Sequence, residues 1–209
     1  MPDALLPLFP LGVVLFPRTD LPLHIFEERY KKMIGHVLES TREFGVVLTM
    51  EKGVTSVGCT ARITNVTKTY DDGRMDIETT GYRRFEVHHL DEEEDYLRGR
   101  VDFFDDEDGT PPDEAHVGKA IRGYYAMRAL PSGKHLPEPR LNDSQLSFQL
   151  AQAVTSVNVR QVLLMSKSEA ERIKRLAEYF PASAERERRL EHFRTIIPRN
   201  GHARLLPSA

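Results

Sequence analysis

The side chains of this chain best suited to chemistry are one cysteine, a pair of adjacent histidines and two runs of acids. None has the company its chemistry needs. Cys59 would act as a nucleophile only as a thiolate, which takes a nearby histidine, cation or helix N-terminus. Its setting, Val57-Gly58-Cys59-Thr60-Ala61, reads as strand, so a small buried filler is expected. His88 and His89 precede the acids 91–95, a composition that could suit a metal. Neighbouring strand residues face opposite ways, however, so the two imidazoles cannot easily share one ion. The run 105–109, Asp-Asp-Glu-Asp-Gly, resembles part of a calcium loop, but Phe104 and Ala115 stand where that loop needs acids. Gly118-Lys119-Ala120 is the nearest approach to a phosphate loop; Asp113 replaces the upstream glycine and the hydroxyl is missing. No serine sits in a Gly-x-Ser-x-Gly elbow, and no His-Glu-x-x-His or Cys-x-x-Cys occurs. The residues therefore predict no catalytic centre, no metal and no cofactor.

The composition narrows the class. A chain of 209 residues with 40% hydrophobic side chains can bury a substantial core, as one large domain or two small ones. A net charge of -3 argues against a general polyanion binder, so DNA is not an expected partner. A single cysteine forbids an internal disulfide and suits a reducing compartment. The start, MPDALLPLFPLG, lacks the basic and apolar regions of a signal peptide, and no uninterrupted apolar run approaches a membrane span. A cytoplasmic protein with no membrane partner is expected.

The hydrophobic pattern changes near residue 108. Before it, residues 46–49, 61–66, 75–79, 85–90 and about 96–104 read as strands, with a hairpin turn at Tyr70-Asp71-Asp72-Gly73. One helix interrupts them, its apolar face made by Phe26, Tyr30, Met33, Ile34, Val37 and Leu38, and it is expected to cover the strands. Pro10, Pro17 and Pro22 are expected to break strand register, while Gly58 and Gly81 suit bulges or close backbone approach. After Thr110-Pro111-Pro112, Val117, Ala120, Ile121, Tyr124 and Met127 predict a helix. Another is expected after Asp143 with Leu146, Leu150, Ala153, Val154 and Val157 inward, then a short apolar stretch, 159–165. A further helix opens with a Ser168–Glu171 capping box and ends at Pro181; a last one carries Leu190, Phe193 and Ile197.

Charge is distributed unevenly. Residues 91–114 hold twelve acids and two bases, whereas residues 167–204 hold ten bases and six acids. The two regions could attract each other, orient a protein partner, or merely be solvated faces.

Three motifs stand in order: Phe9-Pro10-Leu11-Gly12-Val13-Val14-Leu15-Phe16-Pro17 with Leu21-Pro22-Leu23-His24-Ile25-Phe26-Glu27 and Arg29-Tyr30; Val57-Gly58-Cys59-Thr60-Ala61-Arg62-Ile63; and Asp72-Gly73-Arg74 with Gly81-Tyr82-Arg83-Arg84-Phe85. Together they resemble the signatures of Lon protease substrate-binding (N-terminal) domains, closest to short bacterial proteins made of that domain alone. The resemblance is strong over about residues 5–90 and continues by pattern to about 197. Arg18 stands where the family often has glycine, and Glu28 where it often has proline.

The resemblance implies an α+β fold: a PUA-like β-barrel with one covering helix over residues 1–108, then an α-helical bundle over residues 109–209. It also implies a non-catalytic protein- or peptide-binding module that could serve as an adaptor in protein quality control, taking unfolded or tagged proteins or a protease as partners. The ATPase and Ser-Lys protease domains are expected to be missing, since the chain ends at Ala209. A groove between barrel and bundle could take an extended segment as an added strand. His24, Arg84, Phe103, Phe104 and Tyr125 form the candidate interaction surface. Of these, His24 also reads as a hydrogen-bonded structural residue and Arg84 as the partner of an acid. The alternative function is RNA binding, through the PUA-like barrel and Arg186, Arg188, Arg189, Arg194, Arg199 and Arg204; Glu185, Glu187 and Glu191 on the same stretch oppose it.

Overall fold

The computed structural model describes residues 5–107 and 109–196. Seven strands form one mostly antiparallel sheet: β1 (Leu6–Leu11), β2 (Asp20–Ile25), β3 (Glu43–Met50), β4 (Gly53–Val54), β5 (Val57–Thr69), β6 (Met75–Asp91) and β7 (Arg98–Phe104). Helix α1 (Glu28–Glu39) lies between β2 and β3, and α2 (Glu114–Arg128), α3 (Leu146–Leu150), α4 (Val157–Met165) and α5 (Glu169–Ile196) follow the strands. The fold is thus mixed α/β, with strands first and most helices last.

The pairing order is β1-β7-β6-β5-β3-β4, and β1 also pairs with β3 in parallel, so the path returns to its first strand. Strand alternation then gives the ring two sides. Leu8, Val47 and Phe85 cluster on one, with Leu6, Val87 and Val101 against them. Phe85 fits there because Gly45 and Gly58 leave room: a Cβ on either would meet its ring at 2.7 or 2.5 Å. The other side belongs to one continuous core that includes Phe9, Phe44, Val46, Cys59 and Ala61 and extends to Tyr124, Phe148, Leu164, Ile173 and Phe180 on the later helices. Phe16 and Phe148 stack across it, ring centroids 5.6 Å apart.

Several expectations are corrected. Residues 75–79 and 85–90 are one strand of 17 residues, because Gly81 lets the chain pass under the Phe16 carbonyl without a break. Pro10 and Pro22 stand inside β1 and β2, paired with Val47 and Glu78, and do not end them. Phe26 precedes α1 and is 60% exposed; the helix buries Tyr30, Met33, Ile34 and Val37. The helix expected after Asp143 is divided: α3 gives way to a short 3-10 turn, and Ser156, whose hydroxyl accepts the Val159 N–H, caps the start of α4. Val157 consequently lies at the surface. Finally, α5 runs straight through Pro181. Phe180, Ser183 and Ala184 remain buried on either side of the exposed proline. Their packing carries the helix past the one hydrogen bond the imide cannot make. Leu190 and Phe193, expected as an apolar stripe, are exposed, and Ile197 lies outside the described residues.

The hairpin turn is as expected: Gly73 has φ +81° and donates its N–H to Tyr70. The Ser168 hydroxyl accepts the Glu171 N–H at 3.3 Å, as a capping residue should.

Candidate functional site

A groove runs between residues 13–22, the connection after β1 and the first residues of β2, and the segments 132–137 and 149–160. Three adjoining cavities of about 320, 220 and 670 Å³ make it up. His135 and Gln152 line all three, and Arg160 lines the first two. Val13, Val14, Leu136, Val154 and Val157 give the first cavity an apolar wall.

Each wall is held by specific bonds. The Phe16 carbonyl accepts from both the N–H and hydroxyl of Thr19, at 3.3 and 2.8 Å. Arg18 N–H bonds the Gly81 carbonyl at 2.7 Å, and Gly81 N–H bonds Thr19 at 2.8 Å. Arg18 adopts the left-handed conformation, φ 60°, which favours glycine. Its guanidinium reaches Asp143 at 2.6 Å, tying the turn to the opposite wall. Over there, the Tyr124 hydroxyl and the Arg128 side chain donate to the carbonyls of Pro137 and Leu136. Gln149 accepts from Arg140 N–H and donates to Asp143.

Arg160 is the electrostatic feature of the groove. It sits in the first turn of α4 because Ser156 caps that helix. One Nη donates to the Val14 carbonyl at 2.9 Å, and the guanidinium lies 5.1 Å from the centre of the Phe16 ring. Its Nε is buried with no acceptor among the described residues. Burial lowers its pKa, and no carboxylate acts to raise it.

The five candidate surface residues do not converge. His24 is on β2, its Nδ1 2.5 Å from Asp76, which also accepts from the Tyr70 hydroxyl at 2.9 Å. Arg84 is buried, not on the surface. It donates to Asp106 at 2.6 Å and to the carbonyls of Leu164 and Ser166. Phe103 is exposed beneath Arg83, whose guanidinium is 3.7 Å from the ring centre. Phe104, its neighbour in β7, turns the other way and packs half-buried near Arg84 and Lys167. Tyr125 is half-buried on α2 and donates to Glu138.

Cys59 is wholly buried, and burial pushes its thiol up to about 12. His88 meets Asp102 at 2.9 Å across the β6–β7 pair. No group of three or more His, Cys, Asp or Glu able to hold a metal occurs among the described residues. None of the described helices is long and apolar enough to cross a membrane. The acidic and basic regions do meet: Arg172 pairs with Asp106, and Lys167 with Glu107. Arg160, His135 and Gln152 were missed in the sequence; the only signal was one arginine inside the apolar stretch 159–165.

The fold resembles solved structures of known proteins. A crystal structure of a Lon N-terminal domain protein from Xanthomonas campestris superposes with TM-score 0.69 at 25% identity, covering 85% of this chain and 99% of that one. The N-terminal domain of a Mycobacterium avium complex Lon protease gives TM-score 0.60 at 12% identity, covering 85% and 98%. Residues 5–182, from the start of β1 to the middle of α5 and including every described wall of the groove but Glu187, match the sequence model of the ATP-dependent protease La (LON) substrate-binding domain. The chain therefore belongs to the Lon substrate-binding domain family.

Proposed function

We propose that this chain is a protein-binding module that takes an extended, unfolded stretch of polypeptide in the groove, and that it serves as an adaptor in cytoplasmic protein quality control. The observation that carries this reading is the family match over residues 5–182. Two features of the groove support it. Its apolar wall suits aliphatic side chains that a folded client would hide. Strand β2 pairs only with β6 among the described strands, and Asp20, Leu21 and Pro22 of β2 line the groove. An extended segment could add there as a further strand, bonding beside Pro22, which itself has no N–H to give. We read the returning strand path as a PUA-like β-barrel covered by α1 (residues 1–108) and the later helices as a bundle (residues 109–209), two subdomains that share one core. Binding of this kind requires no catalytic residue.

One observation favours RNA as a second reading. Arg62 lies 3.6 Å from the Tyr82 ring centre and Arg83 3.7 Å from that of Phe103, both rings being exposed. Such pairs offer flat surfaces on which bases stack. Against it, Glu43 already pairs with both arginines, at 3.6 and 3.0 Å. Arg199 and Arg204 lie outside the described residues, as does the side chain of Arg194. Fluorescence anisotropy separates the readings. Reduced, carboxymethylated α-lactalbumin, which cannot refold, should bind with little sensitivity to salt, and labelled single-stranded RNA should not. Binding of RNA alone, lost steeply with added salt, would reverse the conclusion.

A further inference from the structure

Two arginines, Arg84 and Arg172, are wholly buried and a third, Arg160, is half-buried with its Nε out of solvent, and they are not treated alike. Arg84 and Arg172 share Asp106, and Arg172 also holds Glu169 at 2.8 Å. Among the described residues, Arg160 has only a backbone carbonyl and the face of Phe16. A guanidinium keeps its charge in any such setting, so burial without a counter-ion is costly unless something supplies the anion. Arg160 differs from the other two in a second respect: it lines the groove, in both the 320 and the 220 Å³ cavity.

We infer that Arg160 is a specificity residue that selects segments carrying an acidic side chain beside an aliphatic one. The inference rests on the peptide-binding reading above. The carboxylate seats on the groove side of the guanidinium, and the neighbouring aliphatic side chain fills the cavity walled by Val13, Leu136, Val154 and Val157. A charge-assisted bond of that kind is short, directional and strengthened by the apolar walls.

The charges around Arg160 define the register. Glu187 lines the 320 Å³ cavity without pairing with Arg160, Asp20 lines the 220 Å³ cavity beside it, and in the 670 Å³ cavity Asp20 and Glu138 are balanced by Arg18 and Arg140. An acidic side chain on the ligand therefore seats at Arg160, the one arginine or lysine among the described residues that lines the 320 and 220 Å³ cavities. The groove continues on both sides of Arg160, so the chain passes across it. The carboxylate it meets belongs to an internal Asp or Glu and not to a chain terminus.

Three fluorescein-labelled synthetic peptides test this against the full chain by anisotropy. All carry a Gly-Ser flank before Val-Val-X-Val, and the first two carry a second one after it. Two are C-terminally amidated, with X either Glu or Gln; the third has Gln at X and ends in a free carboxylate immediately after the last Val. The Glu peptide should bind about tenfold or more tightly than the Gln peptide. Arg160→Gln should level the two, and Arg160→Lys should restore part of the difference. The Glu–Gln comparison on the unaltered protein needs no variant to fold. Equal affinities there, or a preference for the free terminus, would overturn the inference. If unfolded α-lactalbumin binds while the Glu and Gln peptides are equal, only the role of Arg160 falls. If α-lactalbumin fails to bind as well, the peptide-binding reading falls with it.

Discussion

Arg172 grips Asp106 with both arms of its guanidinium, Nη1 to Oδ1 at 2.7 Å and Nη2 to Oδ2 at 2.6 Å. Arg84 of β6 adds a third bond to the same carboxylate, at 2.6 Å. One aspartate from the segment after β7 thus joins the sheet to the start of α5. The cluster is closed off further by Glu169 and by the Ser147 hydroxyl, which accepts from Arg172 Nε at 2.8 Å.

Stability should depend on Asp106 and on pH. Burial by itself would raise the Asp106 pKa, but the hydrogen bonds and charges of Arg172 and Arg84 outweigh it and hold the carboxyl below its ordinary range. A carboxylate depressed in the folded state contributes stability that is complete above the unfolded pKa, about 3.9, and is lost as pH falls through the folded value. Asp106→Asn leaves buried Arg84 without an acid and Arg172 with Glu169 alone, and should cost about 3–5 kcal/mol at pH 7. Its stability should also fall less steeply than the parent's below pH 4. Urea unfolding at pH 7 and pH 3 measures both effects.

Arg18 should be improved by glycine. The left-handed backbone costs a non-glycine residue about 1–2 kcal/mol, whereas an ion pair whose arginine stays half in solvent contributes about 0–1 kcal/mol. Asp143 keeps its bonds from Gln145 N–H and Gln149 when Arg18 is gone. Arg18→Gly should stabilise by about 0.5–1 kcal/mol. Arg18→Ala, which loses the pair and keeps the strain, should destabilise. The order of urea midpoints Gly, Arg, Ala is the check.

Gly81 should tolerate no side chain. A Cβ there would lie 2.0 Å from the Phe16 carbonyl oxygen, which is itself held by Thr19. Gly81→Ala should cost about 3 kcal/mol and displace the groove wall. Gly12→Ala, with nothing within 4 Å of the new Cβ, should change stability by under about 0.5 kcal/mol. Thermal unfolding of the two variants side by side separates a local clash from a general cost of losing glycine.

Cys59 should be silent in the folded state. With no exposed surface and its pKa raised to about 12, the thiol stays protonated at pH 8. Iodoacetamide should label it only as fast as the protein opens, and rapidly in urea. Fast labelling of the native protein would place Cys59 at a reactive site.

What the sequence revealed and concealed follows from the range of the interactions involved. Local periodicity exposes the buried face of α1 and of α2, and the Asp-Gly pair exposes the β5–β6 turn. The burial of Cys59 and the close approach at Gly81 were also legible, since small residues within strands have few other uses. Pro181 misled because helix continuity there depends on packing of Phe180 and Ala184 against distant elements. Arg84 was readable as the partner of an acid, but not as a buried one, since Asp106 and Arg172 lie 22 and 88 positions along the chain. The groove was the least legible. Val14 and Arg160 meet across 146 positions of sequence, and neither belongs to a motif that names the other.

The most direct test of the account is photo-crosslinking from the groove. Benzoylphenylalanine is placed at Val13, at Gln152 and, as a control outside the groove, at the exposed Lys52 in the β3–β4 turn. Each protein is irradiated with reduced, carboxymethylated α-lactalbumin. The account predicts adducts from positions 13 and 152, suppressed by excess unlabelled Glu peptide, and none from position 52. Equal adducts from all three positions, or adducts from position 52 alone, would contradict it.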